Sequence, residues 1–387
     1  MKHILVVITS FRHGGINKSL ENMLSFIDID KYSIDVFAME HYGPYMTMLP
    51  NCKILKKNKL IESLISNWSD TKGLTKLRSF SIKIFRNFCK YIHIDVTDII
   101  FKTVTKQISK SKMYDIAIAY SEGVPTRFVS FLENCNKAAW IHCDYSSYLK
   151  LNKQPDEVLV YNSFNSIVCV SEYTKKIFCN IMPFVESQVY SIHNILNTSL
   201  IFEQSKKQNI DFRFKKSSFN IVSIGRNDSI KRVYVIPEIV RTLVDRGVDF
   251  KWYLIGPIGS QQFHTELLNN IRKYNVEDYF IWLGAKDNPY PYITNSDLLV
   301  NVSVSESFSY VINEAKVLHI PIVCTDFGVA TEIIENDING FIVPIENIAD
   351  KIENLIENKE EYNKIKENIS RFTYDNEKIL CDIYSLL

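Results

Sequence analysis

At 387 residues, of which 46% are apolar and 23% charged, the chain has the composition of an ordinary folded protein, and its length predicts two domains. A formal net charge of +1 excludes broad electrostatic attraction to polyphosphates, so we expect no nucleic-acid partner. The eight cysteines form no C-x-x-C pair and no zinc-finger spacing, which favours a reducing cytoplasm.

The first predicted strand, residues 3–8, is apolar but too short for the hydrophobic region of a signal peptide. No apolar stretch of the sequence approaches the length that a membrane-spanning helix needs. We therefore expect a cytoplasmic protein, either free or peripheral on the cytoplasmic face of the inner membrane.

Short runs rich in β-branched residues alternate with helical patterns, which is typical of parallel α/β sheets. The predicted strands form two series, residues 3–8, 33–38, 115–119, 138–141, 166–170 and 189–192, then 219–224, 250–255, 280–283, 298–302, 321–324 and 341–343. A polar, weakly patterned linker at 196–217 separates them. We expect two Rossmann-like domains facing a central cleft, 1–200 and 201–371, with a helix at about 372–387 packing back on the first.

The segment 72–112 departs from this rhythm, because it carries ten lysines and arginines against two aspartates, with aromatic residues between them. A basic amphipathic stretch of this kind lies on anionic membrane surfaces in some proteins. The same pattern suits a helix that faces the core and exposes a basic face to solvent. Both interpretations stay open.

The most informative motif follows the predicted strand 298–302, where Glu306 and Glu314 stand eight positions apart. Glu306 is expected on a turn at the carboxyl end of a strand, where open α/β sheets bind ligands, and Glu314 on the helix behind it. Backbone amides near Phe308 and Ser309, at the start of that helix, would point toward an anion. The arrangement predicts chemistry on a phosphorylated molecule rich in hydroxyl groups.

Two loops that follow strands predict phosphate contacts. Gly14 and Gly15 come after the first strand and let a ligand approach the backbone at a helix start, although such a pair also suits an ordinary tight turn. Arg226 and Lys231 come after the first strand of the second domain, where both cations would neutralise a diphosphate. The alternative is a pair of solvated surface cations.

Further motifs at strand ends are less specific. His142 ends an apolar run, a position that suits a structural histidine as well as a functional one. Gly256 and Gly284 suit either close approach to a flat ligand or plain turns. Asp28 and Asp30 match D-x-D but lie in a polar turn, so we expect no metal ligand there; no P-loop, G-x-S-x-G or H-E-x-x-H motif occurs.

The ordered set of motifs resembles family 4 of the retaining glycosyltransferases, which have the GT-B fold, and the resemblance covers nearly the whole chain. The first-domain motifs look like those of bacterial enzymes that build capsule, O-antigen and related surface polysaccharides. The matching residues are Gly14, Gly15, Tyr120, Ser121, Glu122, Gly123, Trp140, Ile141, His142, Val170, Ser171 and Glu172, then Gly225, Arg226, Lys231, Gly256, Gly284, Asp297, Glu306, Glu314, Pro321, Glu332, Asn339 and Gly340.

The resemblance implies donor-binding roles for several of these residues and for the turn between the two glutamates. Arg226 and Lys231 would hold the diphosphate of a nucleotide-sugar. Glu306 would contact the donor sugar near its reacting end, and Glu314 would accept hydrogen bonds from the ribose hydroxyls. The remaining donor-binding residues would be Gly15, Gly225, Gly256, Phe308, Ser309 and Tyr310.

On the acceptor side, the resemblance implies Gly14, Gly15 and His142, with His142 also hydrogen-bonded to the transferred sugar. The catalytic set would be Glu306, His142, Arg226 and Lys231, with no metal and no cofactor. The implied activity moves a hexosyl group, with retention, from a nucleotide-diphosphate sugar, expected to be a UDP-sugar, to a glycan acceptor that is expected to be lipid-linked. The alternatives are a GT-B nucleotide-sugar epimerase and a non-catalytic nucleotide-sugar-binding protein.

Three residues depart from the family pattern. Arg232, Ser307 and His319 each stand where the family usually has glycine. None removes a charged group that the implied mechanism needs, so we expect the departures to alter the donor pocket.

Overall fold

The computed structural model describes residues 1–65, 80–82, 84, 95–152, 157–207, 214 and 217–387. Two compact units share the chain, one formed by residues 1–195 with 376–387 and the other by residues 196–375. The boundary falls at residue 195, where the sequence suggested 200. Each unit contains one parallel sheet.

The first unit is built on a seven-stranded parallel sheet in the order β3-β2-β1-β4-β5-β6-β7. Two-residue β3 pairs with β2 at the edge and was not predicted. The strands are β1 Lys2–Ser10, β2 Tyr32–Glu40, β3 Lys53–Ile54, β4 Ile116–Ala119, β5 Asn136–Ile141, β6 Ser166–Cys169 and β7 Val189–Ser191. Central strand β4 is buried throughout, as expected for a parallel sheet covered on both faces.

Helices follow these strands in alternation, as in βαβ units. Those described in the first unit are Gly15–Phe26, Tyr45–Met48, Lys59–Ile65, Val96–Ser111, Val124–Ser130, Tyr145–Leu151, Glu157–Tyr161, Glu172–Ile181 and Asn376–Leu386, with a 3₁₀ turn at Pro183–Gln188. The last helix joins this unit through Tyr384, whose ring stacks on Tyr32 at 5.4 Å and whose hydroxyl accepts the Asp28 backbone N–H at 3.0 Å. Lys2 Nζ also donates to the Leu387 carbonyl at 2.6 Å.

The second unit repeats the arrangement with six parallel strands in the order β10-β9-β8-β11-β12-β13. Its strands are β8 Phe219–Ile224, β9 Phe250–Ile255, β10 Phe280–Trp282, β11 Leu298–Asn301, β12 Ile322–Thr325 and β13 Phe341–Val343. Its described helices are Thr198–Ser205, Ile236–Asp245, Gln261–Tyr274, Tyr290–Thr294, Tyr310–Val317, Ala330–Ile333, Ile348–Glu357 and Lys359–Ser370, with 3₁₀ turns at Val233–Val235 and Ile345–Asn347.

The strand order places a topological switch point in each sheet. In the first, β1 lies between β2 and β4. The connection after β1 therefore runs to one side of the sheet, and the connection after β4 runs to the other side. In the second, β8 lies between β9 and β11 in the same way. Open parallel sheets bind ligands in the crevice outside the carboxyl ends of the strands at such points. The loops after β1 and β4, and after β8 and β11, are therefore the places to look for a site.

The described part of the basic segment supports its core-facing interpretation. Helix Val96–Ser111 buries Val96, Phe101 and Val104, of which Phe101 and Val104 belong to the hydrophobic core of the first unit, and it leaves Lys106 exposed. Asp95 caps the helix by accepting the Thr97 and Asp98 backbone N–H groups. The bases Lys83, Arg86 and Lys90 lie outside the described residues. The helices among the described residues include none long and apolar enough to cross a membrane.

Candidate active site

An ion pair lies at the switch point of the second sheet. Lys231, on the loop after β8, places Nζ 2.5 Å from Oε1 of Glu306, on the turn after β11. The same carboxylate oxygen accepts hydrogen bonds from Ser303 Oγ at 2.8 Å and Asn301 Nδ2 at 3.3 Å. Glu306 is 8% exposed and the Lys231 side chain 23%. A carboxylate is thus fixed in position at the carboxyl ends of the two central strands, with a partly accessible ammonium group beside it.

Arg226 lies on the same loop as Lys231 but is held loosely. Its side chain is 63% exposed, and Nη2 lies 3.2 Å from Oδ2 of Asp228. Exposed pairs of this kind contribute little to stability, so the guanidinium can leave Asp228 for an anionic ligand at small cost. Asp228 Oδ1 accepts the backbone N–H groups of Ile230 and Lys231, which shapes the loop that carries both cations.

Two of the three departures from the family's glycines have a left-handed backbone. Arg232 has φ 52° and His319 has φ 58°, a conformation that costs a residue with a side chain about 1–2 kcal/mol. Arg232 offsets part of this cost because its Nε donates to the Val302 carbonyl at 3.0 Å. That bond also ties the β8 loop to the end of β11. Ser307 has no positive φ, and nothing in the structure explains its substitution for glycine.

Glu314 lies on helix Tyr310–Val317, as predicted, and is 2% exposed. The Tyr290 hydroxyl donates a hydrogen bond to its Oε1 at 3.2 Å. A buried carboxylate needs such partners, and helix Tyr290–Thr294 supplies this one. The bond fixes where the carboxylate of Glu314 lies.

The turn before that helix is held by Asn313. Its amide Nδ2 donates to the carbonyls of Phe308 and Ser309, both at 3.1 Å. Phe308 is 5% exposed and lies against the Tyr310 ring at 5.0 Å. Ser309, the N-cap residue, has φ 55°. The buried amide and the buried ring together fix a backbone conformation that a serine adopts rarely.

Gly256 is explained by backbone packing in the second sheet. Its φ is +156°, and a Cβ added there would lie 1.9 Å from the Gly225 carbonyl oxygen. Gly225 in turn packs on Lys231, since its Cβ would lie 3.3 Å from the lysine Cβ. The Gly256 N–H donates to the Gly284 carbonyl at 3.0 Å. The loops after β8, β9 and β10 therefore approach one another backbone to backbone.

Gly14 presents the opposite case in the first unit. It is the extended N-cap residue of helix Gly15–Phe26, and a Cβ added there would meet nothing within 4 Å. Packing among the described residues does not require glycine at this position. The loop itself is held by Asn17, whose Nδ2 donates to the carbonyls of Ser10 and Arg12 at 2.8 and 2.7 Å. The open helix start is consistent with the predicted ligand contact.

His142 follows β5, and its ring is desolvated. Burial lowers the pKa of the imidazole to about 3, so it is neutral at physiological pH. Its Nε2 is buried and has no hydrogen-bond partner among the described residues. The His142 backbone N–H donates to Glu122 Oε2 at 3.2 Å, which anchors the loop. A neutral imidazole with an unused ring nitrogen is suited to a sugar hydroxyl.

The wall behind His142 is a hydrogen-bonded aromatic layer. The Tyr120 ring lies 5.0 Å from the His142 ring and stacks on Trp140 at 5.6 Å. The Tyr120 hydroxyl shares a hydrogen bond with the Ser19 hydroxyl at 2.8 Å, and the Ser19 hydroxyl donates to Asn194 Oδ1 at 2.6 Å. Because Ser19 lies on the helix that begins at Gly15, the predicted acceptor loop and the His142 region share one network.

Several positioning residues were not predicted. Asn301 and Ser303 hold Glu306, Asn313 holds the turn at Ser309, and Tyr290 holds Glu314. The signals available were polar residues at the end of an apolar run and an asparagine inside an apolar helix. Such signals predict a polar environment, but they do not predict which side chain or backbone group each residue contacts.

Within the described ranges, no group of three or more His, Cys, Asp and Glu side chains is placed to hold a metal ion. Asp28 belongs to the surface turn that the sequence suggested. Its Oδ1 accepts the backbone N–H groups of Asp30 and Lys31, and its Oδ2 pairs with Lys31 Nζ at 3.0 Å.

The chain is similar to known glycosyltransferases. Residues 204–372 match the family model described as "Glycosyl transferases group 1". The N-acetyl-alpha-D-glucosaminyl L-malate synthase of Bacillus anthracis is 24% identical over 199 residues, so that the match spans 50% of this chain and 51% of that protein. The N-acetylgalactosamine-N,N'-diacetylbacillosaminyl-diphospho-undecaprenol 4-alpha-N-acetylgalactosaminyltransferase of Campylobacter jejuni is 25% identical over 362 residues, 90% of this chain and 87% of that protein.

Solved structures show the same fold along the whole chain. A glycosyltransferase from Rickettsia africae superposes with a TM-score of 0.76 at 16% identity, covering 100% of this chain and 98% of that one. HepE of Anabaena, solved with UDP-glucose, superposes with a TM-score of 0.72 at 17% identity, covering 100% of both chains. The fold is GT-B, as predicted. The family model and the relatives support a glycosyltransferase that acts on nucleotide sugars.

Proposed function

We propose that the chain is a retaining family 4 glycosyltransferase that transfers a sugar from a UDP-sugar to a lipid-linked glycan during the synthesis of a bacterial surface polysaccharide. The observation that carries the proposal is the Lys231–Glu306 pair at the switch point, with Nζ and Oε1 2.5 Å apart. A cation for a diphosphate and a fixed carboxylate for a sugar stand together where parallel sheets bind ligands.

The charges of the site suit departure of a nucleoside diphosphate. In glycosyl transfer, the bond between the sugar C1 and the diphosphate oxygen breaks through a transition state with oxocarbenium character, and negative charge grows on the leaving group. Lys231 and Arg226 supply two positive charges on one loop. Arg226 is the more accessible of the two cations, because its side chain is 63% exposed and its ion pair with Asp228 is weak.

The proposed retaining step balances without a protein nucleophile. The acceptor hydroxyl forms its bond to C1 on the face that the diphosphate leaves, and its proton passes to the departing phosphate oxygen. Glu306 positions the sugar, and its bonds from Ser303 and Asn301 keep the carboxylate in place. Neutral His142 would offer its ring nitrogen to a sugar hydroxyl. The proposed mechanism assigns no metal or cofactor a role.

The donor and acceptor are proposed from the comparisons. HepE of Anabaena was solved with UDP and with UDP-glucose, which supports a uridine nucleotide here. The name of the Campylobacter relative describes alpha transfer to a diphospho-undecaprenol-linked sugar, and its match spans 90% of this chain. These similarities support a lipid-linked acceptor and an alpha linkage.

The proposal includes contact with a membrane surface, where a lipid-linked acceptor would lie. Phe80 and Ile84, described residues within the basic segment 72–112, are 49% and 54% exposed. Co-sedimentation with vesicles that contain anionic phospholipid tests this part. We expect binding that weakens when Lys83, Arg86 and Lys90 are changed to glutamine; equal binding to neutral vesicles would contradict it.

A radiolabelled-donor assay tests the function. A panel of UDP-sugars, each labelled in the sugar, is incubated with the protein and with lipid-linked acceptors, and transfer is measured with the wild type, Glu306→Ala and Lys231→Ala. We expect label to move to the acceptor with the wild type alone. An epimerase would convert the donor without an acceptor, and a non-catalytic protein would bind UDP without turnover.

A further inference from the structure

Arg232 carries a guanidinium that has no carboxylate partner in the structure. The loop after β8 holds three cations, and two of them, Lys231 and Arg226, pair with carboxylates. Among the residues that the structure describes, Arg232 forms no ion pair, and the bond from its Nε to the Val302 carbonyl at 3.0 Å is the one hydrogen bond of its side chain. The side chain is partly exposed, so the other N–H groups of the guanidinium are left for solvent or a ligand.

The backbone shows that the fold does not require arginine at this position. The φ of Arg232 is 52°, in the left-handed region that glycine adopts without strain. Its backbone N–H donates to the Asp228 carbonyl at 3.0 Å, a bond that glycine would keep. The Nε bond to Val302 joins two loops that the Val304 N–H and the Ile230 carbonyl already join at 2.8 Å. Strain that the fold does not need indicates another use for the guanidinium.

The anchor at Nε determines which atoms a ligand would meet. Because Nε is held by the Val302 carbonyl, the two Nη atoms remain as donors. The donors of a guanidinium form a planar fork, which matches the two oxygens of a carboxylate in a bidentate pair. A lysine at the same position would offer a point charge without this geometry. The free end of Arg232 is therefore suited to a carboxylate.

The position of the anchor favours the sugar of the donor over its diphosphate. The diphosphate of a nucleotide-sugar carries two negative charges, which Arg226 and Lys231 already match in number. Val302 lies between β11 and Glu306, the residue that the proposed function assigns to the donor sugar. The charge of Glu306 is paired with Lys231, so it does not oppose a second carboxylate nearby. Arg232 is thus held beside the turn that would contact the sugar.

We propose that Arg232 binds a carboxylate on the donor sugar, so that the donor is the UDP derivative of a hexuronic acid. This inference rests on the proposed function and narrows its donor from UDP-sugars in general to those with an acidic sugar. A hexuronic acid has a carboxylate at C6 where the neutral hexose has CH2OH. The acidic sugar therefore supplies the bidentate partner that the guanidinium lacks, and the neutral sugar does not.

Matched pairs of donors test this assignment. Binding of UDP-glucose and UDP-glucuronic acid, and of UDP-galactose and UDP-galacturonic acid, is measured by calorimetry at one ionic strength with the wild type, Arg232→Gly and Arg232→Lys. In at least one pair the wild type should bind the acidic donor at least about tenfold more tightly than the neutral one. Arg232→Gly should lose this preference. Arg232→Lys keeps the charge without the fork, so it should retain part of the preference.

Binding of UDP separates the sugar from the diphosphate. UDP has no sugar, so its affinity for Arg232→Gly should equal its affinity for the wild type. Thermal unfolding of the unliganded proteins verifies that both variants are folded. A lost preference for the acidic donor, together with retained binding of UDP, locates the contact of Arg232 at the sugar.

Two results would overturn the inference and leave the proposed function intact. A wild type that binds the acidic donors no more tightly than the neutral ones in both pairs would show that Arg232 does not recognise a carboxylate. An equal loss of affinity for UDP and for every donor in Arg232→Gly would assign the guanidinium to the diphosphate. A wild type that binds no UDP would instead overturn the uridine nucleotide of the proposed function, and this inference with it.

Discussion

Lys231 Nζ and Glu306 Oε1 lie 2.5 Å apart although 75 residues separate them in the chain. They meet because β8 and β11 are neighbours in the sheet, and each residue lies on the loop that leaves its strand. Neither charge is fully solvated, so in the unliganded protein each charge is stabilised by the other. The pair thus connects the fold to the proposed chemistry.

A double-mutant cycle tests whether this pair serves catalysis as well as stability. Lys231→Ala leaves Glu306 buried with only its neutral partners, and we expect the free energy of unfolding to fall by about 1–3 kcal/mol. Transfer should fall at least about 100-fold, because a cation opposite the leaving group is lost. Denaturant unfolding and initial rates provide the two measurements.

Adding Glu306→Ala to Lys231→Ala should restore part of the lost stability and none of the activity. A double variant as unstable as the sum of the single variants would show that the two charges are not coupled. Activity restored together with stability would mean that the pair acts through folding alone.

The glycines Gly256 and Gly14 should respond to alanine in opposite ways. Gly256→Ala places a Cβ 1.9 Å from a backbone oxygen, so we expect a loss of about 3 kcal/mol of unfolding free energy. Gly14→Ala meets open space, so its stability should stay within about 0.5 kcal/mol of the wild type. Its transfer rate should fall, since the new methyl group occupies the helix start. A fully active, stable Gly14→Ala would remove this residue from the site.

His142 predicts a pH dependence of stability. Its folded pKa is lowered to about 3 by burial, below the ordinary 6.5, so the unfolded chain binds the proton more readily between these values. Stability should therefore be lost as pH falls below about 6.5, by up to about 1.4 kcal/mol per pH unit from this residue. Unfolding of the wild type and His142→Gln at pH 7 and pH 5 measures the difference in slope. Identical slopes would show that the ring is solvated.

The left-handed backbone of His319 predicts that glycine at this position would be more stable than alanine. Its left-handed backbone, with φ 58°, favours glycine, while its ring makes an edge contact with Phe202 at 6.0 Å. His319→Ala loses the same ring contact and keeps the strain, so it is the matched control. We expect His319→Gly to exceed His319→Ala by about 1 kcal/mol in unfolding free energy. Equal values would show that position 319 carries no backbone strain.

The sequence predicted the sheets well because their strands are continuous apolar runs between polar residues. Strands β8 and β9 were predicted to the residue, whereas β12 begins at Ile322 and not at Pro321. Proline has no N–H to donate to the ladder, although its carbonyl accepts from Leu299. Strand β3 was missed, since two residues form no pattern.

Only the chain positions of the candidate site residues could be predicted from the sequence, because it is the strand order of the folded sheet that brings the switch-point loops together. The turn position of Glu306 and the helical position of Glu314 follow from the apolar run and the helix that succeeds it. The bonds that hold Glu306 could not be predicted, since they depend on turn geometry three to five residues away. The role of Gly256 was equally hidden, because its φ of +156° and the nearby carbonyl exist only in the folded sheet.

The anomeric configuration of the product tests the central claim most directly. The protein is incubated with an α-linked UDP-sugar and a lipid-linked acceptor, and the first product is examined by proton NMR before any secondary reaction. A newly formed α-linkage, with UDP released only in the presence of acceptor and abolished by Lys231→Ala, is the predicted result. A β-linkage, or UDP-sugar converted without an acceptor, would contradict the assignment of a retaining glycosyltransferase.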